Sequence, residues 1–281
     1  MRNIILLIIF LIPSISFSGT IVNNMNIQDV SIDDLPRIMC VGDSITVGYD
    51  DSPVLFGYRD HLQDYLGVNK YEFVGPYTSP SSDSFYDVDS WSAGGVRTAY
   101  ILTEGTTVSG GPVSIGISNA LTRYMPKNNK TNSKLLLLIG TNDSASSTGN
   151  NLPPPVDPSV AAANVVSIVN LILAYDSTID IYVGLIVPHR EFGSVKNNTN
   201  FINYNNILGP AILAINAVNP KVHLVDHYSA FTNDTFSLLS GNYRNTAYAN
   251  DTHPNDLGYT VIAKQWASCI ESSLNTNCDG N

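Results

Sequence analysis

The sequence predicts an α/β fold, a three-layer sandwich in which a buried parallel sheet carries helices on both faces. Lys134 to Ile139 is a continuous apolar run after its lysine, and Ile179 to Val187 is apolar but for Asp180 and Gly184; both are too short for core helices and read as strands covered on both faces. Helical patterns alternate with these runs along the chain, which is how βαβ units are written in sequence. In such a sheet, binding and chemistry collect at the C-terminal ends of the strands, so the segment after each strand is the informative one.

The first strand is expected over Arg37 to Val41, ending in Gly42. Apolar residues at Tyr58, Leu62, Tyr65 and Leu66 have helical spacing and are closed by Gly67. Tyr71 to Val74 reads as a strand, and the Ser-, Asp- and Tyr-rich stretch 77–93 as a loop. Ile115 to Met125 is expected to be helical and to lead into the strand at 134. Thr148 to Pro158 is rich in Asn and Pro and reads as an ordered surface loop, because a helix over Ser159 to Tyr175 follows at once. A helix over Phe201 to Val218, interrupted at Gly209-Pro210, then links the strand at 179 to a last strand at Lys221 to Val225. Asp256 to Leu274 closes the chain as a helix.

The amino terminus reads as a signal for export. Met1-Arg2-Asn3 is a short basic start, Ile4 to Pro13 is apolar, and Ser14, Ser16 and Ser18 are small residues suited to cleavage after Ser16 or Ser18. The apolar run is shorter than the ~20 residues that span a bilayer, and stable membrane insertion is not expected. The expected organisation is therefore a signal peptide over 1–18, a polar arm over 19–35 and one catalytic-sized domain over 36–281, in a secreted, extracellular protein. Cys269 and Cys278, nine apart, can close a small loop in an oxidising compartment, while Cys40 lies in an apolar run and reads as a buried thiol. Glycosylation sequons stand at Asn129, Asn142, Asn197, Asn233 and Asn250, and two of these, Asn142 and Asn250, fall in segments with a better use.

Charge excludes one class of partner. Asp and Glu number 24 against 14 Lys and Arg, a formal net charge of -10, the wrong sign for neutralising the phosphates of nucleic acid. No Cys/His cluster has zinc spacing, so neither a metal nor an organic cofactor is expected.

Four segments carry residues able to do chemistry. Gly42-Asp43-Ser44-Ile45-Thr46 puts a hydroxyl at the end of the first strand, where it can be a nucleophile or a helix cap. Ala93-Gly94-Gly95-Val96-Arg97-Thr98 can offer a glycine N–H to a developing oxyanion. Gly140-Thr141-Asn142-Asp143 follows the buried strand at 134 and is either a turn or the mount for an amide donor. Asn250-Asp251-Thr252-His253-Pro254-Asn255 places one of five histidines just before the last helix, as a proton shuttle or as a structural residue. His189 follows another strand end and reads as structural.

Taken together, the four segments resemble the GDSL, or SGNH, hydrolase superfamily in order and spacing from about Pro36 to Trp266. Ile38 to Gly48 looks like its first block, the tract around Gly95 its second, Leu138 to Asp143 its third and His253 to Tyr259 its last. Gly57-Tyr58-Arg59, Phe73-Val74-Gly75 and Tyr204-Asn205 are similar to the acetyl xylan esterase branch, carbohydrate esterase family 3. The resemblance implies a flavodoxin-like sandwich with about five parallel strands. It implies Ser44 as nucleophile, His253 as general base, and an oxyanion hole made from the Ser44 and Gly95 N–H groups and the Asn142 amide, with Gly94 as the alternative to Gly95. The family usually has an acidic residue three before the histidine, where this chain has Asn250. Asp251, two before, is taken as the third member of the triad, with Asn250 or a backbone carbonyl as alternatives.

The implied activity is hydrolysis of a small ester, with an acetylated carbohydrate such as xylan as the expected substrate. Trp91, Tyr86 and Tyr49 lie near the active segments, as sugar-stacking or as packing residues. A lipase or lysophospholipase of the same superfamily, and an inactive carbohydrate-binding homologue, are the alternatives.

Overall fold

A computed structural model describes residues 35–49, 57–78, 89–103, 106–108, 111–113, 115–127, 132–145, 154–188, 198–232 and 253–272. The strands are β1 (Arg37–Gly42), β2 (Glu72–Phe73), β3 (Tyr77–Thr78), β4 (Asp89–Ser92), β5 (Thr106–Val108), β6 (Gly111–Val113), β7 (Lys134–Leu138), β8 (Asp180–Gly184) and β9 (Val222–Val225). The helices are α1 (Ser44–Val47), α2 (Tyr58–Leu66), α3 (Thr98–Ile101), α4 (Ile117–Tyr124), α5 (Thr141–Ser144), α6 (Pro158–Tyr175), α7 (Asn198–Asn216), α8 (His227–Thr232) and α9 (Asp256–Glu271). The signal peptide and nearly all of the arm expected from the sequence lie outside the described residues.

The main sheet runs β3-β4-β1-β7-β8-β9, parallel except for the antiparallel β3–β4 pair. β7 occupies one edge of β1 from Ile38 to Gly42. The other edge is shared: β2 pairs at Arg37 and Ile38, and β4 pairs at Val41 and Gly42. Five parallel positions result, in the order second-first-third-fourth-fifth, which is the flavodoxin-like arrangement expected. From β1 the chain turns first towards β4, then returns to β7 and moves outward through β8 and β9. The crevice between the ends of β1 and β7 is thus the switch point where ligands bind in such sheets.

Hydrophobic burial explains the layers. All five residues of β7 are buried, as are Ile38 to Gly42 of β1, so the centre of the sheet is covered on both faces. α2 packs on α9, and α6 packs on α3, α4 and α7. With right-handed crossovers, the reversal of chain direction at β1 puts these two groups on opposite faces. α6 is long and apolar enough to cross a membrane by length and composition, but Ala161, Ala162, Val165, Ile168, Val169 and Ile172 form a buried stripe in the core. Cys40 is a buried thiol outside any disulfide, as expected; Cys269 is disulfide-bonded, and Cys278 lies outside the described residues.

Two expectations need correction. The stretch 77–93 is not all loop, since β3 and β4 lie in it. β4 reads Asp-Ser-Trp-Ser, and its polar residues are accommodated by pairing: Ser90 and Ser92 are buried and share a hydroxyl hydrogen bond of 2.7 Å. Gly75 lets the chain pass against Ser90, whose backbone would lie 2.1 Å from any Cβ there. The helix over 201–218 is not interrupted. α7 runs through Pro210 because that residue is exposed, so the carbonyl of Asn206 that loses its N–H partner is also on the solvent side.

Candidate active site

Gly42, the last residue of β1, pairs with Ser92 of β4 on one side and with Leu138 of β7 on the other. The three neighbouring strand ends therefore release the chain at one level. Ser44 lies two residues past its strand end, Gly95 three and Asn142 four. The crowding there is severe: a Cβ on Gly42 would lie 2.1 Å from Thr46 Oγ1 and 2.4 Å from the Leu138 carbonyl oxygen.

Asp43, in extended conformation, caps α1 by accepting from the Ile45 N–H at 2.9 Å. Ser44 is the first residue of that helix and is free of the capping duty. Its Oγ instead meets His253 Nε2 at 2.8 Å, across 209 residues of sequence. At 4% exposure Ser44 is nearly closed off from water. The Arg59 guanidinium, fully buried, donates from Nε to the Thr46 carbonyl at 2.9 Å and holds the far end of α1.

His253 also escapes a capping role. Asn255 caps α9, its side chain accepting from the Gly258 N–H at 3.1 Å. Tyr259, one turn into α9, donates its hydroxyl to the Tyr49 carbonyl at 2.8 Å, which fastens this helix to the loop after α1. The Tyr49 ring meets the imidazole nearly edge-on, with centroids 5.7 Å apart and planes at 73°.

Asn142 is the second residue of α5, which directly follows Gly140, a glycine with φ 121°, a value other residues rarely adopt. Tyr204 packs on that glycine and donates to the Ile139 carbonyl at 2.7 Å. Asn205 braces the next strand end through both backbone groups of Ile186. One amide N–H of Asn142 donates to the Val96 carbonyl at 2.9 Å, which aligns the side chain with the glycine loop; the amide has a second N–H to offer. Gly95 has φ 76°, so the turn requires glycine, and Gly94 is flush against Tyr49, whose hydroxyl and ring would lie 2.8 Å from any Cβ.

Asp143 ties these segments together, a role sequence reasoning missed. Its carboxylate accepts from the Thr98 N–H at 2.9 Å and from the Thr98 hydroxyl at 2.8 Å. Burial raises its pKa, against the lowering effect of the Thr98 hydrogen bonds. Asp43 is more strongly affected: complete burial pushes its carboxyl up to about 7. Among the described residues its Oδ2 and the Thr141 hydroxyl fall outside good hydrogen-bond geometry, although the Thr141 hydroxyl is near enough to oppose the rise in part.

The structure thus brings Ser44 and His253 into contact and mounts Gly95 and Asn142 beside them on adjacent strand ends. Asp251 and Asn250 lie outside the described residues, as do Tyr86, His189 and the sequons at Asn129, Asn197 and Asn233. Of the two readings of Trp91, packing is the one the structure supports: it is wholly buried and donates from Nε1 to the Ile115 carbonyl at 2.8 Å, so it presents no face to a sugar. Among the described residues no group of three or more His, Cys, Asp and Glu side chains is arranged to hold a metal ion. Chemically, a hydroxyl touching an imidazole beside glycine and amide donors is equipped for acyl transfer.

The fold is shared with solved esterases. A family 3 carbohydrate esterase of Clostridium thermocellum superposes with a TM-score of 0.59 at 22% identity, covering 83% of this chain and 94% of that one. The corresponding values for a family 3 carbohydrate esterase of Talaromyces cellulolyticus are 0.55 and 15%, over 84% and 96% of the two chains. An aryl esterase of M. smegmatis gives 0.52 and 16%, over 85% and 100%. No curated protein sequence matches. Residues 38–266 match the GDSL-like lipase/acylhydrolase family, to which this chain therefore belongs as a carboxylic ester hydrolase.

Proposed function

We propose that this esterase removes acetyl groups from a carbohydrate through a covalent acyl-enzyme formed on Ser44. The observation that carries the proposal is the 2.8 Å approach of His253 Nε2 to Ser44 Oγ, the distance a general base needs to take the hydroxyl proton. Ser44 Oγ attacks the ester carbonyl as His253 accepts that proton. The tetrahedral oxyanion is held by the N–H groups of Ser44 and Gly95 and by the Asn142 amide. Collapse breaks the bond to the sugar oxygen, which leaves with the proton from His253. Water then adds to the acetyl-enzyme with His253 again as base, and acetate departs. Asp251 orients the imidazole and stabilises its cationic form.

The likeness to family 3 carbohydrate esterases supports an acetylated glycan as substrate, and the leader over 1–18 supports an extracellular site of action. The test is acetate release from acetylated xylan by wild type, Ser44→Ala and Asn142→Ala. Ser44→Ala is expected to be inactive. Asn142→Ala should lose on the order of 10²–10³ in kcat, as when one oxyanion donor is removed, while the lost hydrogen bond to the Val96 carbonyl, about 1 kcal/mol, lowers the thermal transition by only about 2–4 °C. Full activity in Ser44→Ala would end the proposal; a preference for long-chain p-nitrophenyl esters would replace the carbohydrate substrate with a lipid one.

A further inference from the structure

We infer that Tyr49 forms the wall against which the leaving alcohol of the ester is held, and so selects substrates by their alcohol portion. The inference rests on the roles proposed for Ser44 and His253 and extends them to specificity. His253 returns its proton to the leaving oxygen, so the alcohol must sit on the imidazole side of the reacting carbon. The half-buried Tyr49 ring occupies that border. It is in edge contact with His253 at 5.7 Å, and it lies against Gly94, next to the oxyanion donor Gly95.

Tyr49 is also fixed to the nucleophile. Its N–H donates to the Ser44 carbonyl at 3.1 Å, and its own carbonyl accepts from the Tyr259 hydroxyl. A ring anchored at both backbone groups keeps its place relative to Ser44 Oγ, as a specificity wall must. An aromatic face in this position favours alcohols that present a flat or apolar ring surface, such as the face of a sugar, over small alkanols.

The two halves of the reaction separate this role from a merely structural one. The alcohol is present during acylation and gone during deacylation. A side chain that contacts it changes kcat/KM according to the alcohol and leaves hydrolysis of the acetyl-enzyme alone. One that only positions His253 impairs both halves for every ester.

The experiment compares wild type with Tyr49→Phe, Tyr49→Leu and Tyr49→Ala on esters sharing the acetyl group: methyl acetate, p-nitrophenyl acetate and an O-acetylated methyl xyloside. For Tyr49→Ala, kcat/KM should fall about 10-fold on the two ring-bearing alcohols and less than about 3-fold on methyl acetate, the range of one aromatic contact. Tyr49→Leu, which keeps most of the packing, should fall in the same order, and Tyr49→Phe should restore wild-type selectivity. The deacylation rate, read from the steady state after the p-nitrophenol burst, should be unchanged. Equal losses on all three esters, a slowed deacylation, or no loss on any ester would overturn the role of Tyr49 while leaving the serine mechanism intact. A wild type that hydrolyses none of the three would overturn the serine mechanism itself, and the role of Tyr49 with it.

Discussion

His227 makes the stability of the enzyme fall in mild acid by an amount that the structure sets. It opens α8 and is completely buried, with its ring against Trp266 at 4.4 Å and 74°. Neither ring nitrogen has a hydrogen-bond partner among the described residues. Burial pushes its pKa down from 6.5 to about 3, so the imidazole is neutral in the folded protein. The unfolded chain titrates normally and takes up a proton below about 6.5. Its contribution to stability is therefore complete above that pH and is lost progressively as the pH falls towards 3. At pH 5 the unfolded state is favoured by about 1.5 pH units of proton binding, or about 2 kcal/mol. Replacing His227 with Leu removes the titration at similar volume. Urea unfolding at pH 8 and pH 5 should show wild type losing about 2 kcal/mol more than His227→Leu between the two conditions. With an m-value of about 2 kcal/mol/M, that is a differential midpoint shift of about 1 M. His61 and His223 are present in both proteins and cancel in the comparison. Parallel pH dependence of the two midpoints would refute the reasoning, because it would mean that the buried ring is protonated as readily as the unfolded one.

Two other positions give independent tests. Gly140→Ala combines a φ of 121° with a Cβ only 2.5 Å from the Tyr204 ring, so it should lower stability by about 3 kcal/mol, seen as a Tm drop of roughly 6–12 °C, and reduce turnover by displacing Asn142. Asp43→Asn keeps the helix cap but removes a carboxyl whose folded pKa is raised from 3.8 to about 7. Because burial favours the protonated form, wild type loses stability as the pH rises from 4 through 7, and the variant should gain on it by about 4 kcal/mol between pH 4 and pH 8 in denaturant titrations.

Much of the fold was legible because buried parallel strands write themselves as uninterrupted apolar runs. β7 is such a run after Lys134, β8 is one between Asp180 and Gly184, and their limits emerge within a few residues of those expected. β4 was not legible, since three of its four residues are polar and become strand-like only through pairing with β1 and the Ser90–Ser92 contact. The continuity of α7 through Pro210 was hidden for a different reason: the cost of proline depends on whether the freed carbonyl faces water, which sequence spacing does not reveal. Of the site, the residues named for chemistry were legible as local motifs. The residues that join those motifs were not. Asp143 reaches Thr98 across 45 positions, and Tyr204 reaches Ile139 across 65, with no local pattern announcing either partner.

Helix-end accounting separates chemistry from structure at this site. Serine beside a helix start is more simply read as a cap than as a nucleophile, and a histidine before a helix can be structural as well. Each helix start needs acceptors for its first N–H groups, and a side chain that supplies one has its oxygen committed. Here the acceptors come from the neighbours: Asp43 for α1 and Asn255 for α9. Both capping residues lie within two positions of the reactive ones, so Ser44 and His253 are held at helix starts without being consumed by them. The Ser44 hydroxyl meets the imidazole Nε2 at 2.8 Å, and the two residues differ in solvation. Ser44 is buried at 4% exposure while His253 stays half-buried, which under the proposed mechanism lets the base take a proton from the hydroxyl and pass it to a departing alcohol.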